Sequence, residues 1–352
     1  MTSKTILNDA TLLKSLKLNQ TMNNPETVSP KPCEYIDPEG QHCQGAAGEH
    51  GLCFWHDPKT DKSDNTIKSL LEQWAQQGRS MTGFSLRYAD LSGIHLNGED
   101  SRTGFSLHHV DLYRANLQNA HLYNIDLSHS CLMKANLSAA NLNHANLSHA
   151  NLLGTNFKHA KVEHVNWNLP VLQERQARLL AKHNKTSEVF DLFEQAEEIY
   201  RNLRRTAEAR GAFEQAGKFF YREMVMRRYQ MPIFSLKRFF SKMVDLLCGY
   251  GEKPFRVAGF SSGFIIFFAI CYFLLGIQSS SGMLVFHPNN TMLENLQNFA
   301  NCFYFSVVTF TTLGYGDIAP VGLSRLFAAL EAFSGTFMTA LFVVVFVKKM
   351  TR

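Results

Sequence analysis

From Phe84 to Trp167 the chain repeats every five residues, a period that few folds can hold. It is plainest in Ala115-Asn116-Leu117, Ala135-Asn136-Leu137, Ala140-Asn141-Leu142, Ala145-Asn146-Leu147 and Ala150-Asn151-Leu152. An apolar residue returns at 107, 112, 117 and every fifth position up to 167, with earlier turns centred on Leu86, Leu91 and Leu96, while residues 97–104 break the register as a loop. A helix repeats every 3.6 residues and a strand every 2, so neither fits. A square coil of four pentads does fit. It turns each central Leu inward together with the small residue two before it, so the core is that column plus Ala115, Ala120, Ala135, Ala140, Ala145, Ala150 and Ala160.

The pattern resembles the pentapeptide-repeat family. That resemblance implies a right-handed quadrilateral β-helix over residues 80–168, with a helical segment starting near Leu169 as its C-terminal cap. In such a coil His109, His129 and His149 stack on one outer face about 4.8 Å apart, and His144 and His164 make a second short column. No carboxylate shares these columns to orient a metal-bound ring, so we read them as a solvated polar face, with metal binding or pH sensing as the alternative. Pentapeptide proteins that imitate DNA need an acidic outer face. This one is rich in His and Asn, and no nucleic acid is expected as a partner.

Ahead of the repeats, residues 1–30 are polar and bounded by Pro25, Pro30 and Pro32, which reads as a flexible arm. Residues 31–60 hold Cys33, Cys43, Cys53 and His56 at spacings C-x9-C-x9-C-x2-H, among glycines that supply turns. The closing Cys-x-x-His step brings two ligands to one tetrahedral ion, and the whole is similar to small three-cysteine, one-histidine zinc knuckles. Structural zinc is the expectation, since four protein ligands leave no open position for catalysis. Cys131, Cys248, Cys271 and Cys302 are scattered and read as small apolar filler.

After the repeats, residues 169–230 turn helical, and Asn202-Leu203, Gly211, Phe213, Ala216, Phe219 and Phe220 fall where a tetratricopeptide hairpin puts its contacts. One such hairpin cannot bury its face alone, so it packs on the solenoid, a neighbouring subunit or a cytosolic ligand or protein. In residues 231–252, Ile233, Leu236, Phe239, Phe240, Met243, Val244 and Leu247 recur at helical spacing opposite Lys237, Arg238 and Lys242. That is an amphipathic helix suited to the inner leaflet. Residues 170–256 carry seventeen Lys plus Arg against eleven Asp plus Glu, which points to anionic lipid as a partner.

The last hundred residues decide the class. Val257–Ile277 is uncharged and about 31 Å long as a helix, enough to cross a bilayer. Leu326–Val347 is a second such stretch, with one acid, Glu331. Lys253 and Arg256 precede the first, Lys348, Lys349 and Arg352 follow the second, and residues 278–300 hold no Lys or Arg. Positive charge stays inside, so both termini are expected in the cytosol of a multi-pass inner-membrane protein. The first twenty residues, with Lys4, Lys14 and Lys17 and no apolar core, do not read as a signal peptide. No nucleophile, base and orienter or phosphate loop is recognisable, and an enzyme is not expected.

Between the spans, Asn298–Thr309 is too short to cross and reads as a re-entrant helix leading into Thr312-Leu313-Gly314-Tyr315-Gly316-Asp317. Here the chain resembles potassium channels. The resemblance implies that the Thr312, Leu313, Gly314 and Tyr315 carbonyls, with the Thr312 hydroxyl, replace the hydration shell of K+ in a homotetramer. It also puts a hinge at Gly335, with Thr336 and Thr339 lining a cavity and Val343 and Val347 forming a hydrophobic gate. Tyr304-Phe305 stands where relatives carry two tryptophans and Val308 where some carry a glutamate, so Asp317 is expected to lose two partners. Glu331 is a functional candidate, expected to bond the pore-helix or filter backbone.

The fold class is therefore multidomain: zinc knuckle, quadrilateral β-helix, α-helical hairpin, interfacial helix and an α-helical two-span pore domain over 253–352. This order resembles bacterial pentapeptide-repeat ion-channel proteins. Without an Arg-rich apolar helix, gating falls to the cytosolic domains rather than to voltage. The competing reading is a membrane-anchored interaction scaffold with a vestigial pore.

Overall fold

A computed structural model describes residues 31–64, 66–97, 104–182, 187–280 and 282–351. The arm read over 1–30 and, of the loop read over 97–104, all but its two end residues lie outside the described residues. The chain divides into two compact units, Met1–Asp57 and Pro58–Arg352.

In the first unit a short antiparallel hairpin pairs Pro32 with Ala46 and Ile36 with His42. Asp37 closes its turn, its carboxylate accepting from the backbone of Glu39 and Gln41 at 3.0 and 2.7 Å. Gly45 has no room for a side chain: a Cβ there would sit 2.9 Å from Cys53 Cβ and 3.4 Å from Cys43 Sγ.

The second unit opens with α1 (Thr66–Gln76), which buries Ile67, Leu71 and Ala75. It closes the start of the solenoid, where Glu72 accepts from His95 N at 2.8 Å and Lys68 donates to Ser92 O at 3.0 Å. The repeats form a four-sided coil. Parallel bridges join Asp111 to Cys131 to Asn151, Asn116 to Asn136 to Asn156, His121 to Asn141 to Lys161 and Asp126 to Asn146 to Asn166, each step twenty residues. Before residue 98 the step is twenty-six, from Ser85 to Asp111 and from Asp90 to Asn116, so the interruption adds six residues without shifting the coils. Both predicted inward columns are buried, from Leu86 to Trp167 and including all seven named alanines.

The same geometry explains the residues around the Leu column. Where Asn or Asp precedes the Leu, its side chain accepts from the backbone two residues on, as Asn136 does from Ser138 at 3.2 Å, which makes an Asx-turn. Its amide also reaches the coil below: Asn156 donates to Asn136 at 2.9 Å and Asn136 to Asn116 at 3.1 Å. Two residues after each Leu the backbone turns left-handed, with φ between 55° and 62° at His109, Asn119, His129, His144, His149 and His164 among others. Asn and His tolerate that conformation better than most residues. The histidine columns are thus turn positions that line up because the coil repeats. Their rings stack at 4.8 Å for His109 and His129, 4.6 Å for His129 and His149 and 4.9 Å for His144 and His164. Burial and neighbouring histidines hold His109 below the usual imidazole range, and burial together with Arg175 does the same for His149.

Three helices follow the solenoid rather than the two of a hairpin: α2 (Leu172–Leu180), α3 (Ser187–Ala209) and α4 (Phe213–Tyr229). Gly211, at φ 72°, turns α3 into α4. They cap the last coil. Gln173 donates to Asn151 at 2.7 Å, Asn202 to Thr155 O at 2.5 Å and Arg210 to Ala160 O at 2.9 Å, while Trp167 packs edge-on against Phe219. Glu174 lies fully buried at the centre of the bundle, accepting from Tyr200 OH at 2.5 Å, Arg222 at 2.9 Å and Arg178 at 2.8 Å. Burial beside that carboxylate pushes the Tyr200 phenol up.

The pore domain comes last. Helix α5 (Leu236–Cys248) leaves Leu236, Phe239, Phe240 and Val244 exposed and ends at Gly249. Helices α6 (Pro254–Leu275) and α8 (Ser324–Met350) are long and apolar enough to cross a membrane. Between them lie β1 (Ile277–Ser279), β2 (Gly282–Leu284), α7 (Met292–Phe310) and β3 (Ile318–Pro320). The strands form one sheet in the order β2-β1-β3, which pins the segment after Asp317 to the end of α6. Ser324 reinforces that joint, donating to Gly276 O at 2.7 Å. The re-entrant helix runs 19 residues rather than twelve: Thr291 and Glu294 form a reciprocal capping box that starts it six residues earlier than its aromatic content suggests.

Candidate functional site

Helix α7 ends at Phe310 and delivers the chain straight into Thr312–Asp317. Its end closes as a Schellman motif, with Thr312 N bonding Thr309 O at 3.1 Å and Leu313 N bonding Val308 O at 3.0 Å. Thr312, Gly314 and Gly316 then take φ of 56°, 59° and 80°, while Leu313 and Tyr315 between them are not left-handed. In an ordinary extended strand successive carbonyls point to opposite sides. Reversing the handedness at alternate residues brings them to one side, giving a row of oxygens with a cation-attracting helix C-terminus behind it. Two of the three left-handed positions are glycines, as that conformation demands. Thr312 is β-branched and takes it regardless, the kind of backbone departure that clusters at functional sites. The row is exposed along its whole length, with Leu313 59% and Tyr315 67% accessible on the single chain.

Behind Thr312–Asp317, α8 is locked to α7 by contacts that do not show in the sequence. Glu331 is fully buried and does not face lipid. Its carboxylate accepts from Tyr272 OH of α6 at 2.6 Å and from the Ser306 hydroxyl of α7, so it joins three helices. The expected backbone partner is replaced by two side-chain hydroxyls. Ser306 also reaches Ile265 O at 2.9 Å. One turn along, Gly335 lies inside the unbroken α8, and a Cβ there would fall 2.1 Å from Phe310 O and 3.0 Å from Phe310 Cα. What requires a glycine is therefore the close approach of the last pore-helix carbonyl. Thr336, Thr339, Val343 and Val347 all stand exposed, off the stripe of Glu331, Gly335, Met338 and Val345 that packs into the chain's own core.

The ends of α6 and α8 meet α4 and α5 at one joint. Asp245 of α5 takes Arg228 of α4 at 2.7 Å and Arg256 of α6 at 3.1 Å. Lys348, in the last turn of α8, pairs with Glu252 at 2.8 Å and lies 5.3 Å from the Phe220 ring centroid, while Lys253 sits 4.3 Å over Tyr221. Asp245 thus ties α4 to the start of α6, and Lys348 brings the end of α8 to the same joint.

In the first unit, Cys33, Cys43, Cys53 and His56 bring one ligand atom each to within 4.8 Å of one another. Cys43 and Cys53 sulfurs stand 3.8 Å apart, matching two thiolates at about 2.3 Å from one tetrahedral ion. His56 presents Nδ1 to the Cys33 and Cys53 sulfurs at 3.8 and 3.1 Å, and Tyr35 stacks on its ring at 3.8 Å. Cys53 N and Gly45 N point at the Cys33 and Cys43 sulfurs. Burial pushes the Cys53 thiol up to about 12, a penalty that a bound cation would remove. The donor set fits a metal ion.

Comparison with known proteins follows the same division. Residues 260–352 match the ion channel family, and residues 130–166 match the family of pentapeptide repeats (8 copies). Over 78 residues the chain is 35% identical to protein LctB of Bacillus caldotenax; the match covers 22% of this chain and 56% of LctB, so it spans about half the length of that relative. HetL of Nostoc, a pentapeptide repeat protein involved in heterocyst differentiation regulation, is 34% identical over 23% of this chain and 38% of its own, with a TM-score of 0.20. A second Nostoc pentapeptide repeat protein, alr5209, is 33% identical over 27% of this chain and 74% of its own, with a TM-score of 0.21.

Proposed function

We propose that this membrane protein, which carries pentapeptide repeats ahead of a C-terminal ion-channel domain, is one subunit of a homotetrameric potassium-selective channel of the inner membrane, with both termini in the cytoplasm. The observation that carries the reading is the alternation of handedness through Thr312–Gly316 at the end of a re-entrant helix. Four such rows around one axis make successive rings of carbonyl oxygens, with the Thr312 hydroxyl at the cavity end. Potassium enters by exchanging water for these oxygens and leaves under repulsion from the next ion. Thr336 and Thr339 keep the cavity wet, and Val343 and Val347 close it near the cytosol. The exposed apolar face of α5 lies on anionic lipid at the inner leaflet.

The test is ion flux through purified protein in liposomes. The expected result is potassium flux over sodium flux that barium blocks and that Gly314→Ala abolishes, since a left-handed alanine is strained at that φ. Sodium and potassium passing equally would end the selectivity claim. A stable tetramer without flux, even after residues 1–230 are deleted, would turn the reading into an anchored scaffold with a vestigial pore.

The cysteine cluster holds structural zinc in this reading, which supplies the cation that four inward ligands need. Full-length protein should bind one zinc per chain, measured by atomic absorption after dialysis. Cys53→Ser should weaken that binding more than about a hundredfold, beyond what losing an outer hydrogen-bonding partner costs. Unchanged zinc content in Cys53→Ser would remove the site.

A further inference from the structure

Between α2, the first turns of α3, the end of α4 and the approach to α5 lies a cleft of about 620 Å³, the size of a small-ligand site. Its charged lining is all of one sign: Arg175, Arg178, Lys182 and Arg238, with no acid among them. Arg178 is engaged by Glu174 beneath. Arg175 donates instead to His149 Nδ1 at 2.7 Å and Arg238 to Met231 O at 2.7 Å, acceptors that leave both charges standing. Among the described residues no carboxylate pairs with Arg175, Lys182 or Arg238.

The rest of the wall is apolar, built on Phe190, Ile233 and the stacked rings of Phe193 and Tyr229, 4.9 Å apart. Phe190 and Ile233 remain 46% and 51% accessible at its rim. From Ile233 the apolar surface runs on through the fully exposed Phe234 to Leu236 and Phe239 of α5. A water-soluble anion would have no use for that continuity. An amphiphile sliding in from a bilayer would use all of it.

We infer that this cleft binds the phosphate-bearing headgroup of an anionic lipid of the inner leaflet. Arg175, Lys182 and Arg238 hold the phosphate, as charge-assisted donors do, and the glycerol and upper chain lie across Phe190 and Ile233. Arg238 stands in the first turn of α5, whose Asp245 grips both α4 and the start of the outer span. An occupied cleft therefore fastens the interfacial helix to the cytosolic bundle, which makes it a regulatory site for the joint below the pore. The regulatory part rests on the channel reading; the binding part does not.

Binding is tested first, on full-length protein in detergent titrated with dioctanoyl phosphatidic acid, against dioctanoyl phosphatidylcholine and inorganic phosphate. The expected result is saturable binding of the phosphatidic acid alone, weakened at least about tenfold, or 1.4 kcal/mol, in Arg175→Gln/Arg238→Gln and also in Ile233→Asp. An unchanged thermal midpoint shows that either variant still folds, and the second spares the cations should the first fail to fold. Equal affinity in both variants would overturn the site. Inorganic phosphate competing as well as the lipid would overturn the amphiphile in favour of a free anion. In liposomes, flux that responds to phosphatidic acid built into the leaflet and is lost in the double variant supports regulation from the membrane; response to the soluble short-chain form alone overturns the leaflet as source. Lipid binding by the full-length protein, with no ion flux even after residues 1–230 are deleted, would refute the channel reading and leave the site standing.

Discussion

A Gly335→Ala chain should fail to give heat-stable tetramers and should pass no ions. The added methyl group would lie 2.1 Å from Phe310 O, a backbone atom at the foot of the pore helix, so no side-chain rotation relieves the overlap. Either α8 retreats or the end of α7 shifts, and that end positions Thr312. Overpacking of a well-filled site costs about 1–3 kcal/mol and sometimes more. Here we expect about 3 kcal/mol or more per chain, four times over in a tetramer. Gly263→Ala is the control: a Cβ there meets nothing within 4 Å, and alanine in a helix gains roughly 0.5–1 kcal/mol over glycine. Heating both variants in detergent and resolving tetramer from monomer separates close approach from a generic effect of losing a glycine. If Gly335→Ala forms tetramers as stable as the parent, the contact is not what holds the glycine there, and a bending role for Gly335 comes back into view.

Glu331→Leu should be nearly as damaging for a different reason. Leucine replaces the acceptor of two buried hydroxyls, Tyr272 and Ser306, one on each of the other two helices. An unsatisfied buried polar group costs about 1–3 kcal/mol, so the pair predicts a loss of about 2–5 kcal/mol, with Ser306 partly rescued by Ile265 O. Glu331→Gln keeps an acceptor oxygen and should fall between the two. Tyr272→Phe combined with Glu331→Leu should be milder than the sum of the single changes, because the orphaned hydroxyl is gone. Full conduction and a parental thermal midpoint in Glu331→Leu would show the acid to be dispensable.

Period five was legible because the coil's core uses each pentad in the same way; a residue every fifth position is buried from Leu86 to Trp167. The Cys and His spacing was legible for a similar reason, since metal ligation leaves few residue types to choose from. Packing against distant segments left no such trace. The reason for Gly335 lies at Phe310, and the partners of Glu331 lie 25 and 59 positions away. The start of α7 is carried by Thr291 and Glu294, spaced as a capping box, and not by the aromatic residues, which begin only at Phe299. Strands of three residues, as in β1–β3, are too short to carry a period at all. The recurring histidines invited a chemical reading, whereas the left-handed turn that selects them becomes visible only in the backbone angles.

The six-residue interruption after the third pentad leaves every bridge above and below it paired in the same columns. A wall built this way has quantised length: a lineage can add or delete whole twenty-residue storeys, each lifting the far end by about 4.8 Å, or splice foreign sequence into a corner, while the joint beneath the pore stays as it was. The height of the solenoid can therefore diverge without the channel domain having to evolve in step.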